Sequence, residues 1–118
     1  MMTDRYKDNL IVKMTFDYAL AIIEFVEVLI EKRRYVIADQ VLRSGCGIGA
    51  NVREAQNAES KADFVHKMKV AMKEVDENEY WLLLCKHSDK LPKDDVLLDK
   101  LEPITKVLNK IISTSKRK

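Results

Sequence analysis

Signals for β-structure are the first thing this sequence lacks. No segment sustains the alternation of a half-buried strand, and no Asn-Gly or Asp-Gly pair offers a hairpin turn. Long apolar runs are missing too. The most apolar stretch, Ala19 to Ile30, is interrupted by Glu24 and Glu27, which excludes the ~20 apolar residues of a bilayer helix. Nor is there a basic leader followed by an apolar block and a small-residue cleavage site, so the reading is a cytoplasmic protein with no membrane partner. Cysteine is scarce: Cys46 and Cys85 sit among small or apolar neighbours, where buried free thiols are expected rather than a disulfide. Charge of one sign is also lacking. The 21 basic and 19 acidic residues leave a net +2, too little to announce a nucleic-acid partner by itself. There is no internal repeat and no low-complexity tract.

What is present is helical periodicity. The 118 residues suit one domain, 1–118, with polar stretches 1–8 and 114–118 read as flexible tails. From Asn9 to Lys32, residues Ile11, Met14, Tyr18, Ile22, Phe25 and Leu29 recur every three or four positions, with a second stripe of Ala19, Ile23, Val26 and Ile30 beside them. A helix apolar over so wide an arc either sits deep or meets another chain. After a polar joint the pattern resumes at Tyr35 and continues through Ile37, Val41, Ser44, Ile48, Val52 and Ala55. Ser60 and Asp63 resemble a capping box. The helix they open carries Phe64, Met68, Ala71, Val75, Asn78, Leu82 and Cys85 at heptad spacing and should run to about His87, with the polar Asn78 setting register. Beyond a turn at Pro92, a last segment begins near Asp94 and Asp95 and aligns Leu97, Leu101, Ile104, Leu108 and Ile111, with Pro103 predicting a kink or two shorter helices. Long helices joined by short turns predict an all-α, antiparallel up-down-up-down four-helix bundle.

All three glycines lie inside the second helical segment, at 45, 47 and 49. Each costs about 1 kcal/mol of helix propensity relative to alanine. Ser44, Gly45, Cys46, Gly47, Gly49 and Ala50 nearly lack side-chain bulk, so a neighbouring helix can press on the backbone there.

The stretch RSGCGIGANVREAQNAESKADFVHKMKVAMKEVDENEYWLLL resembles the small bacterial four-helix-bundle proteins first met within intervening sequences of 23S ribosomal RNA genes. The matching positions are Arg43-Ser44-Gly45, Ile48-Gly49-Ala50-Asn51, Glu54-Ala55, Ser60-Lys61, Asp63-Phe64, Lys73-Glu74 and Tyr80-Trp81-Leu82, and a weaker likeness runs along nearly the whole chain. The resemblance implies assembly as a ring, typically a homopentamer. The chain is also similar to the accessory protein of diversity-generating retroelements, a basic pentamer that contacts nucleic acid and a reverse transcriptase. It departs from the pattern at Cys46, Gly47 and Pro103, and in its near-neutral charge.

Candidate chemistry is sparse. Gly45, Gly47 and Ala50 fit the spacing of a dinucleotide fingerprint, but that motif needs a strand before the glycines and a helix beginning at them. Asp63 with His66, and Cys85 with His87, fall short of metal-ligand sets, and no catalytic grouping or cofactor site emerges. Arg43, Asn51 and Glu54 can share one helix face, with Glu74 and Glu77 placed to answer Arg43. A buried arginine paired with carboxylates is a device for register or subunit matching. Tyr80 and Trp81 read as core or interface anchors. Packing is therefore assigned to Arg43, Ser44, Gly45, Gly49, Asn51, Glu54, Glu74, Glu77 and Trp81. Lys32, Arg33 and Arg34 at a turn, the tail Lys116, Arg117 and Lys118, and the lysines Lys61, Lys67, Lys69 and Lys73 are either solvated surface or phosphate contacts. The functional expectation is a non-enzymatic oligomeric scaffold, in contact with RNA, DNA or a protein that handles them. An adaptor without nucleic-acid contact is the alternative.

Overall fold

Each periodic segment folds as one helix. The computed structural model describes residues 4–116. A 3-10 turn, Asp4–Tyr6, precedes α1 (Leu10–Glu31), α2 (Tyr35–Ala55), α3 (Lys61–His87) and α4 (Asp95–Lys116), and no strand occurs among the described residues. The boundaries have local causes. The Asn9 side chain accepts from Val12 N–H, Ser60 from Asp63 N–H and Asp94 from Leu97 N–H, satisfying amides that a first turn leaves open. The Asp63 carboxylate reaches back to Glu59 N–H rather than to Ser60.

α1 packs on α2 and α4, and α3 packs on the same two helices. The result is an all-α circuit with extents of 48 × 28 × 21 Å, consistent with a four-helix bundle. Its core is the set of stripes read from the sequence: Ile11, Tyr18, Ile22 and Leu29 of α1, Val41, Ile48 and Val52 of α2, Met68, Leu82 and Cys85 of α3, and Leu97, Leu101, Ile104 and Leu108 of α4. The second stripe of α1 divides. Val26 is buried and Ala19 half-buried, whereas Ile23 and Ile30 face solvent, as do Phe16 and Leu20 beside the stripe.

α4 is a single helix through Pro103, so the expectation of two shorter helices meeting there is corrected. Leu101 and Ile104 are buried on either side of an exposed proline, and that packing carries the helix across it. The stretches expected as tails are structured where they are described. Arg5 donates to Asn57 Oδ1 at 2.8 Å, and the Tyr6 ring meets two guanidiniums, Arg5 at 5.1 Å and Arg53 at 4.6 Å. Residues 114–116 complete α4.

Candidate functional site

α2 is the element from which the distinctive geometry radiates, because its bare segment touches two neighbours. A methyl group at Gly45 would stand 2.7–2.9 Å from the Ile22 side chain, and one at Gly49 would stand 3.2 Å from the Thr15 carbonyl of α1. At Gly47 the obstacle would be the Glu74 carboxylate of α3, at 2.7 Å. Glycine thus permits close approach on both flanks of one helix. These residues lie within α2, and no strand leads into them, so the geometry of a dinucleotide fingerprint is not met.

Three helices meet at a buried polar network. Tyr18 of α1 donates to Asn78 Oδ1 at 2.5 Å. Asn78 Nδ2 donates to Ser44 Oγ at 3.1 Å and to the Val41 carbonyl at 3.3 Å, and Ser44 Oγ donates to the Gln40 carbonyl at 2.7 Å. Every buried side-chain polar atom among the described residues has a partner. Burial pushes the Tyr18 hydroxyl far above its ordinary pKa, and Asp94 and Glu79 push the same way. Tyr18 therefore stays a neutral donor. The sequence pattern marked Ser44 and Asn78 singly but hid their joining with Tyr18, which read only as an apolar stripe member.

Arg43 meets its expected carboxylates at the α2–α3 seam. It lies 3.6 Å from Glu74, contacts Glu77, and donates to Gln40 Oε1 at 3.0 Å. Its burial is the corrected part, since half of the side chain, 51%, remains exposed. A long guanidinium stem can satisfy both acids from the rim. Desolvation raises the Glu74 pKa, Arg43 pulls it down and Glu77 pushes it up. Half-buried Trp81 donates from Nε1 to Glu77 at 3.2 Å, while exposed Tyr80 meets it edge-on at 5.3 Å. The other two members of the expected face act separately: Asn51 bonds back to the Gly47 carbonyl at 2.8 Å, and Glu54 lies 3.7 Å from Lys67.

The α1–α2 seam is apolar and open. Val12, Thr15, Phe16, Ala19, Cys46, Gly49, Ala50 and Arg53 line a cavity of about 170 Å³. A second hollow of about 140 Å³ is bounded by Ile30, Tyr35 and Leu42. Cys46 is half-buried rather than buried, Cys85 is buried, and burial raises both thiol pKa values. Both histidines are exposed, and no cluster of metal-ligating side chains occurs among the described residues.

The two basic clusters are kept apart. Lys32, Arg33 and Arg34 form the α1–α2 turn, where Arg34 offers α2 no side-chain cap. Lys116 shares a shallow groove with Lys61, Ala62 and Val65. That groove adjoins the far end of α2, about 30 Å from the turn at 1.5 Å per residue. Arg117 and Lys118 lie outside the described residues. No helix of the described residues is long and apolar enough to cross a membrane.

Comparisons with known proteins agree with this architecture. No curated protein sequence matches the chain. A crystal structure of a protein with unknown function from the S23 ribosomal protein family of Bacteroides thetaiotaomicron VPI-5482 is similar at 34% identity and a TM-score of 0.81, over 86% of this chain and 97% of that one. The family model of the 23S rRNA-intervening sequence protein matches residues 7–110. That span takes in all of α1, α2 and α3 with most of α4, and the chain belongs to the 23S rRNA-intervening sequence protein family.

Proposed function

We propose that the protein is a non-enzymatic, cytoplasmic scaffold. Its antiparallel up-down-up-down bundle assembles with further copies through the α1–α2 face, and its basic clusters make weak contacts with RNA or DNA. The succession of contacts along α1–α2 and α2–α3 supports the topology: Ile22 and Thr15 oppose Gly45 and Gly49, while Arg43 and Glu54 oppose Glu77 and Lys67. In both pairs one chain position rises as the other falls.

The observation that carries assembly is the uncovered apolar seam of Phe16, Leu20, Ile23, Ile30 and Leu42, each 36–49% exposed. At about 150–250 Å² for a large side chain, these fractions amount to on the order of 400 Å² of apolar surface. One side of a standard interface buries about 800 Å², a little over half of it apolar. The seam supplies nearly that amount. A subunit count of five comes from the family resemblance. The near-neutral charge favours a second reading, in which the same face receives a different protein and no nucleic acid is bound.

Native mass measurement, with and without nuclease treatment, tests the proposal. The expected result is a defined multiple of the chain mass that Leu20→Lys dissociates without loss of helicity. A wild-type monomer at micromolar concentration would overturn the assembly. Salt-dependent retention on a polyanion column separates the scaffold from the adaptor.

A further inference from the structure

The turn between α1 and α2 holds a charged residue where a glycine would serve the fold better. Arg33 has φ of 60°, and it is the one non-glycine residue with a positive φ among those described. Its N–H bonds the Ile30 carbonyl at 2.8 Å, while the Arg34 N–H bonds Leu29 at 2.9 Å. These paired bonds define a helix cap whose left-handed position ordinarily goes to glycine or asparagine. Arginine there stabilises the cap less well than glycine does.

The chain's glycines are all in α2, and this turn instead presents three consecutive cations. Lys32, Arg33 and Arg34 are exposed, and none has an ion-pair partner among the described residues. The next residue, Tyr35, borders the hollow beside Ile30 and Leu42 at the rim of the α1–α2 face and leaves 60% of its surface in solvent. Cations beside an exposed aromatic ring are the two components of a single-strand platform: the cations neutralise phosphates, and the ring stacks on an unpaired base. A duplex keeps its bases stacked internally and can use only the cations. Glu31 and Asp39 are exposed close by in the chain and keep the local charge modest, so the affinity is weak and salt-sensitive.

We propose that Lys32, Arg33, Arg34 and Tyr35 form a binding site for single-stranded nucleic acid, with Arg33 kept in a strained conformation for phosphate contact and Tyr35 as the stacking surface. The proposal rests on the nucleic-acid part of the function above and assigns that contact to one end of the molecule.

Fluorescence anisotropy of a labelled oligothymidylate and of a hairpin duplex, titrated with the full chain at low salt, tests it. Wild type should prefer the single strand. Tyr35→Ala should weaken that binding about tenfold and leave the duplex unaffected, while Tyr35→Phe keeps wild-type affinity. Arg33→Gly and Arg33→Ala should each reduce the salt-dependence slope by about 0.7. Arg33→Gly alone should also raise Tm, by about 3 °C, because it relieves the backbone without the charge. Single-strand binding unchanged in all four variants would overturn this site while leaving the general nucleic-acid reading intact. A wild type that binds neither oligonucleotide would sink both. Preference for anionic vesicles over oligonucleotides would replace the site with a membrane contact.

Discussion

Three glycines interrupt α2 and one proline interrupts α4, yet the helices run unbroken over 21 and 22 residues. In α2 the breakers point into contacts. Gly45 and Gly49 bring α1 against the backbone, and Gly47 admits the Glu74 carboxylate. In α4 the breaker points outward, and the buried set of Leu97, Leu101, Ile104 and Leu108 is wholly aliphatic. α2 also contributes Ser44 and the Val41 carbonyl to the Asn78 network, so its position is set by polar geometry as well as by close approach. A glycine is thus tolerated where tertiary contact replaces the missing side chain, and a proline where flanking burial outweighs one lost backbone bond. The difference predicts that α2 resists substitution on its contact faces, whereas α4 has room for improvement.

Gly45→Val is the strongest way to break this contrast. Its side chain meets fully buried Ile22, and urea unfolding should show a loss of more than about 3 kcal/mol, partly restored by Ile22→Ala in the same chain. An unaffected midpoint would mean that the close approach contributes nothing. Pro103→Ala tests the other helix with opposite sign. It restores a backbone donor at an exposed position and should add about 1–3 kcal/mol in the same measurement. If it destabilises, the proline matters for packing where it borders the hollow beside Met14 and Tyr18 of α1.

Tyr18→Phe sharpens the α2 side further. It strips Asn78 Oδ1 of its donor in a buried site and should cost about 1–2 kcal/mol. Arg43→Ala should have the smallest effect, within about 1 kcal/mol, because half of the side chain is in water. Its pH dependence is informative. Desolvation raises the Glu74 pKa, so the fold disfavours the ionised form, and that penalty grows as pH rises through the raised value. Arg43 offsets the penalty, so the deficit of Arg43→Ala should be largest above the carboxylate range and fade below it. Thermal melts across that range would show whether the variant and wild-type curves converge at low pH.

Much of the fold was legible in the chain. Heptad spacing from Phe64 to Cys85 marked α3, and the Ser60 cap fixed its start within one residue. The bare segment of α2 announced close packing and did not show that its two flanks serve different helices. Arg43 and its carboxylates could be paired by spacing, but their exposure could not, since a side chain's depth depends on how far the neighbouring helix overhangs it. The conformation of Arg33 was invisible, because nothing in the residues Lys32-Arg33-Arg34 signals a left-handed backbone.

The sequence by itself determined most helix starts and the main apolar face of each helix, because periodicity and capping act within a few residues. The unbroken run of α4 past Pro103 to Lys116 came instead from packing. Only the tertiary structure decided which neighbour each face meets. Tyr18 and Asn78 are 60 positions apart, and Arg43 and Glu77 are 34 apart, so their pairing depends on how loops close and helices slide into register. That long-range choice also left Phe16, Leu20 and Ile23 uncovered, since four helices arranged in a circuit bury one arc of α1 and expose the other.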